Sequence, residues 1–276
     1  MKNYLKLVHF EVNRFFKMYL IVVGLVIVSQ LIGAVVESKE YLKNIKRTLL
    51  REQYSFSEYL QEGYQAEPFS QFLNSGWVIL SVFMCVVILM LYVFFIWYRE
   101  WFAKNTFIYR LLTLPTSRLT IYFAKLTAIM LLVFGFIALQ IILLPIEHQL
   151  VYWIIPADYR IDILLTEAFN FVSLGGLYPS TFIEFILLYG IGLMFVAVLF
   201  TAILFERSYR LKGIFFAIVY SVLSCVVFIS PVVLHFVSEG YFYPLEILSL
   251  LLVTGAIVLG CAIWLATYLL KYKITV

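Results

Sequence analysis

Apolar residues in this chain fall in long uncharged runs instead of alternating with polar ones. Six stretches contain no Asp, Glu, Lys or Arg: residues 18–36, 77–98, 126–146, 185–205, 213–237 and 247–270. A helix needs about 20 residues to cross roughly 30 Å of hydrocarbon, and all six runs are of that order. Strands of a soluble sheet are far shorter, and barrel strands alternate apolar with polar positions. A helix satisfies its own backbone hydrogen bonds in lipid. The pattern therefore predicts an all-α, polytopic integral membrane protein with six transmembrane helices.

Ahead of the first run, Lys2, Lys6, His9, Asn13 and Lys17 recur at spacings of three and four, opposite Leu5, Val8, Val12, Phe15 and Phe16. Residues 1–17 thus read as an N-terminal amphipathic helix lying in the membrane interface, with its cations near anionic headgroups. The cations Lys2, Lys6, Arg14 and Lys17 before an apolar run ending near Gly33, Ala34 and Val35 imitate a secretory leader. That run is longer than a signal core, so 18–36 is read as a retained span. Residues 37–76 form a first outer loop, with a helical stretch around Leu42, Ile45, Leu49 and Leu50 before a turn at Gly63 to Pro68. Residues 147–184 form a second, rich in Trp153, Pro156, Tyr159, Phe169, Phe171 and Tyr178, as expected of an interfacial or partly re-entrant cap.

Few polar side chains enter the spans. Gln30, Gln140, Ser221, Ser224 and Thr254 fit either the lining of an aqueous path or hydrogen bonding between helices, with packing the expected use, and Ala256 with Gly260 offers a small-residue face for close helix approach. Ser230-Pro231 predicts a kink whose freed carbonyl is re-satisfied locally.

Composition places the chain in the same class. Of its 276 residues 64% are hydrophobic and only 13% charged, with a mean hydropathy of +0.99, far from a soluble domain. The net charge of +4 conceals a transverse asymmetry. Both chain ends and the loops 99–125 and 206–212 carry fourteen cations against Glu11, Glu100 and Glu206, a net of +11. The other side holds Lys39, Lys43, Lys46, Arg47, Arg51 and Arg160 against thirteen acids, a net of −7. The positive-inside rule puts the first set, and both termini, in the cytoplasm of a multi-pass protein of the cell membrane. Nothing in this distribution points to nucleic acid; membrane lipids are the implied surroundings.

Catalysis finds little support. Cys85, Cys225 and Cys261 all fall in apolar runs, so neither a structural disulfide nor a zinc site is expected. His9, His148 and His235 are scattered, and His235 reads as an interface histidine. Glu184, Glu239 and Glu246 border spans on the outer side, where water solvates them. No pair of carboxylates is singled out for acid and base work.

The most informative segment is the loop 99–125. It is too apolar to be only solvated, and Leu111, Leu112 and Leu114 precede a Pro115 break. Thr116 or Ser117 then caps the next helix. A short basic and aromatic helix of this kind, held at the membrane surface, suits transmission of a push into two spans. The run Leu111-Leu112-Thr113-Leu114-Pro115-Thr116-Ser117-Arg118, followed by Tyr122 and Lys125, resembles the cytoplasmic loop of type-2 ATP-binding-cassette (ABC) exporter permeases. The layout is similar too: an amphipathic N-terminal helix, six spans and cytoplasmic ends. The chain looks like the Gram-positive members linked to antimicrobial-peptide export, immunity or envelope stress. It departs from many relatives in placing its sizeable outer loops before the second and fourth spans.

The resemblance implies that Arg99, Glu100, Trp101, Lys104, Arg110, Leu112, Pro115 and Arg118 form the region coupling the permease to a separate ATPase. It also implies a second permease copy or paralogue. No Gly-x-x-x-x-Gly-Lys-[Ser/Thr] occurs, nor any Gly-Lys pair, so ATP and Mg are expected in partner ABC ATPase subunits, with no cofactor in this chain. The residues 206–212 offer a second candidate contact. The expected function is outward movement of an amphipathic or hydrophobic substrate by alternating access; a membrane-embedded enzyme acting on lipid or peptide, and a channel or sensor subunit, stand as alternatives.

Overall fold

In a computed structural model the described residues are 2–53, 56–61, 67–102, 117–162, 164–168, 178–179, 181–209, 211–237 and 242–273. They form helices α1 (Lys2–Glu52), α2 (Phe56–Gln61), α3 (Pro68–Leu73), α4 (Gly76–Phe102), α5 (Arg118–Ile154), α6 (Leu165–Ala168), α7 (Phe182–Tyr209), α8 (Leu211–Val237) and α9 (Pro244–Tyr268). A short 3-10 turn spans Ala157–Tyr159, and α9 runs on into a wider π-type turn, Leu269–Lys273. The described residues contain no strand. Six helical stretches are long and apolar enough to cross a membrane, one for each uncharged run. The chain is a multi-pass, all-α membrane protein. Exposed Leu80, Phe95, Phe215 and Val226 are ordinary side chains when the surrounding solvent is hydrocarbon.

Several helices outrun the apolar segments that predict them. Most extended is α1, whose 51 residues at 1.5 Å each make about 76 Å, more than twice the hydrocarbon thickness. The break expected between an interfacial helix 1–17 and a span 18–36 is absent. One buried stripe instead runs along the helix through Val8, Glu11, Phe15, Val22, Val26, Gln30, Ala34, Ser38, Tyr41 and Ile45. No proline interrupts residues 2–52, and the only glycines, Gly24 and Gly33, are single and internal. The first sixteen residues of the expected outer loop 37–76 are therefore helical, as is the start of the loop 147–184, since α5 continues to Ile154.

The chain divides into two compact units. The first comprises Met1–Arg14, Leu89–Leu131 and Ser180–Val276; the second Phe15–Ile88 and Leu132–Pro179. In the second unit, Ala34, Tyr41, Ile45, Tyr59, Phe69, Phe72, Leu73, Val78, Leu144, Val151 and Ile155 form a buried cluster. Trp77 packs on Gly33, where an added Cβ would lie 2.5 Å from the Trp77 Cβ. At the heart of this unit Gln30 Nε2 donates to Ser81 Oγ at 2.7 Å and to Gln140 Oε1 at 3.2 Å, joining α1, α4 and α5. His148 packs between the Phe69 and Tyr152 rings.

In the first unit only residue 210 separates α7 from α8. Gly213 makes that hairpin possible, because a Cβ there would meet the Phe205 carbonyl oxygen at 2.2 Å. On α9 the buried small residues are Ala262 and Ala266, and Thr201 Oγ1 donates to the Ala262 carbonyl at 3.1 Å. The close approach thus falls on these residues, while Ala256 and Gly260 are exposed. Pro231 lies inside α8, and Ser230 Oγ donates to the Val227 carbonyl at 2.8 Å, the oxygen left without a donor four residues before the proline. Glu184 and Glu246 are helix caps. Thr181 and Glu184 exchange side-chain to backbone hydrogen bonds at the head of α7, and Glu246 accepts from the Tyr243 backbone N–H at 2.9 Å at the head of α9.

Candidate functional site

Within the first unit, the helix ends on either side of residues 103–116 meet at a buried carboxylate. Glu11, on the inward stripe of α1, is 2% exposed, and Lys125 of α5 is fully buried. Lys125 Nζ stands 2.6 Å from Glu11 Oε1, donates to the Ile96 carbonyl of α4 at 3.1 Å, and lies 5.3 Å from the Trp97 ring centroid. Across the same carboxylate Arg99 Nη2 of α4 is 3.6 Å from Oε2. Tyr92 OH donates to the Glu11 backbone carbonyl at 3.2 Å. One negative charge is therefore shared by two cations from the two flanking helices. A buried ion survives only when paired and hydrogen-bonded in this way.

Helical spacing explains the convergence. Tyr92, Ile96 and Arg99 are four and three residues apart on α4, and Arg118, Tyr122 and Lys125 repeat that spacing on α5. Tyr122 OH donates to the Ala197 carbonyl of α7 at 3.1 Å. The rings of Trp97 and Tyr122 each stand edge-on to Phe200, with centroids 5.6 Å and 5.7 Å away. At the end of α4, Tyr98 OH donates to the Glu206 carboxylate, and the Arg207 guanidinium lies over the Tyr98 and Trp101 rings at 4.9 Å and 5.8 Å. Arg118 Nη1 donates to the Leu270 carbonyl at 2.6 Å. The two flanks are thus tied to α1, to α7 and to the C-terminal turn.

Of the residues expected to couple to an ATPase, Arg99, Trp101 and Arg118 fall in this arrangement, each making a contact named above. The Glu100 side chain, Lys104, Arg110, Leu112 and Pro115 lie outside the described residues, as does Thr116. Ser117 does not cap α5 through its hydroxyl; its carbonyl accepts the Thr120 N–H at 2.9 Å, while the two hydroxyls meet at 2.6 Å. Glu206 and Arg207, read first as a possible second contact, brace the end of α4.

Of the most buried charges of the site, Glu11 was legible only as a topology signal, and Lys125 as that and as part of the loop's resemblance. A better signal was present: Glu11 is the only acid before Glu37, three residues after Val8 and four before Phe15, and so on an apolar face. The arrangement offers no nucleophile beside a base, and among the described residues no group of three His, Cys, Asp or Glu is placed to hold a metal. What it offers is stiffness, because displacing either flank must drag Glu11 or strand a buried charge.

No protein-family model, curated protein or solved structure matches the chain.

Proposed function

We propose that this chain is the permease subunit of an ABC exporter, moving an amphipathic or hydrophobic substrate outward across the cell membrane. Both termini lie in the cytoplasm, and two ATPase subunits supply ATP and Mg chemistry to a pair of permeases, identical or paralogous. The observation that carries this reading is the shared Glu11 carboxylate. It joins the two helices flanking residues 103–116 to each other and to α1, so a push on that segment reaches three spanning helices at once. Support also comes from the basic and aromatic loop 99–118, from the cationic excess on its side, and from the lack of a phosphate-binding Gly-Lys motif in the sequence.

In the mechanism, nucleotide-driven closure of the ATPases presses residues 99–118. The ion-paired flanks move as a rigid body, and alternating access follows. Purification in mild detergent is expected to retain a stoichiometric ATPase whose turnover the permease stimulates. Leu112→Asp combined with Arg118→Glu should abolish that stimulation while the protein stays folded in the membrane. Unchanged stimulation by a folded variant refutes the coupling role, as does labelling of Lys104 from outside intact cells.

A further inference from the structure

Beyond its first apolar run, α1 carries cations at Lys39, Lys43, Arg47 and Arg51, each four residues after the last. All four are exposed. Successive members are about 6 Å apart along the axis and the row is about 18 Å long. The helix is fixed from behind, since Tyr41 and Ile45 are buried in the core cluster with Phe69, Phe72 and Leu73. In front, Lys39, Glu40, Lys43, Asn44 and Arg47 line an open polar cleft of about 400 Å³.

This row is costly by two criteria. Like charges one turn apart weaken the helix that carries them. Five of the six cations on the side assigned to the outside, Lys46 included, fall on this one segment, against the general bias of topology. Among the described residues Lys39, Lys43 and Arg47 form no ion pair, and Arg51 has only Glu52, 3.8 Å away at the surface. A row of this kind calls for an anion of matching periodicity.

We propose that Lys39, Lys43, Arg47 and Arg51 form a docking surface for a linear polymer with phosphodiester charges along its backbone. Lipid headgroups fit less well. Headgroups add only about 6 Å outside the hydrocarbon on each side, whereas Arg47 and Arg51 stand roughly 16 and 22 Å along the helix beyond Val36. Single-stranded nucleic acid gains less here, because the row offers no aromatic platform on which bases stack, and a duplex carries a charge about every 1.7 Å of its axis, far closer than the roughly 6 Å of the row. The inference is independent of the exporter reading, requiring only that this face of α1 be reachable by solute.

The test uses the full chain in phosphatidylcholine nanodiscs and a fluorescent poly(glycerol phosphate) oligomer of eight repeats, with binding followed by anisotropy. Four contacts predict a salt slope near −2.8 and so roughly a fifty-fold loss of affinity between 50 and 200 mM salt. Lys43→Gln with Arg47→Gln should halve the slope and weaken binding at least ten-fold. That variant keeps its fold, since it removes repulsion on an exposed face. Three results overturn the proposal: no binding at 50 mM salt, equal binding by the double variant, or equal binding of poly-glutamate of the same length. A fourth does so as well, if phosphatidylglycerol in the discs protects Arg47 and Arg51 from guanidine-selective labelling as fully as the polymer does.

Discussion

Helices α1, α4 and α5 are joined twice, and the two junctions use opposite chemistry. In the first unit Glu11, Arg99 and Lys125 join them by charge, with Tyr92 and the Ile96 carbonyl completing the set. In the second unit the same helices meet through the neutral groups of Gln30, Ser81 and Gln140. A charged junction resists being opened, because each partner removed strands another ion in a dry place. A neutral one is exchanged more readily, since a freed amide finds other partners. The sequence of each helix thus builds one stiff attachment and one compliant attachment.

The largest effect should follow from breaking the charged junction one side at a time. Lys125→Met leaves Glu11 buried without its nearest cation, and should cost about 3–5 kcal/mol of stability. Thermal unfolding in detergent, followed by tryptophan fluorescence, measures it. Adding Glu11→Leu should recover most of the loss, because Arg99, with 30% of its side chain exposed, can turn to water. If Lys125→Met alone costs less than about 1 kcal/mol, the contrast between the junctions disappears.

Packing, not polarity, should dominate the second unit. Gly33→Ala places a Cβ 2.5 Å from the Trp77 Cβ, an atom next to the main chain that cannot swing away. Overpacking of this kind costs about 1–3 kcal/mol. Gly135→Ala is the control: its new Cβ meets chiefly the Tyr19 hydroxyl, the far end of a side chain that can rotate. The same unfolding assay should therefore rank Gly33→Ala well above Gly135→Ala. At the low end of that range is Gln30→Leu, which removes both amide contacts and fills the space with hydrocarbon, at about 0.6 kcal/mol for each contact. A larger loss than that of Lys125→Met would invert the comparison.

How much of this was legible in the sequence depended on whether the signal was a run or a meeting. Uncharged runs need no knowledge of neighbours, so each of the six predicted a membrane-spanning helix. The Ser230-Pro231 repair is equally local, since a proline specifies which carbonyl it abandons. The helical stretch around Leu42 to Leu50 was legible but its continuity with the first span was not, because charge density marks the end of a span while nothing between residues 37 and 52 breaks a helix. Nor was the pairing of Glu11 with Lys125, residues 114 positions apart. In the sequence Glu11 is one more interfacial charge and Lys125 the tail of the loop motif, and only three-dimensional packing brings their buried faces together. Ala256 and Gly260 show the converse: their spacing suits close approach, yet packing selected Ala262 and Ala266 on the same helix.

One charge of the second unit, Arg160, sharpens the contrast because its work is done on carbonyls. Arg160, just past α5, donates through Nη1 to the Tyr152 carbonyl at 2.6 Å and to the Ile155 carbonyl, and its guanidinium lies 4.4 Å from the Tyr152 ring centroid. These are the acceptors that a helix leaves without donors at its C-terminus. The accompanying carboxylate, Asp162, meets Arg160 Nε at 2.6 Å but is 65% exposed, so water competes for it, while Arg160, 14% exposed, keeps its carbonyl partners. Asp162→Asn should therefore change stability by about 0.5 kcal/mol or less, the smallest effect of the series. Unfolding of this variant at low and at high salt measures it, and the two shifts should agree closely. A salt-sensitive loss comparable to that of Lys125→Met would mean that the second unit, too, is held by charge.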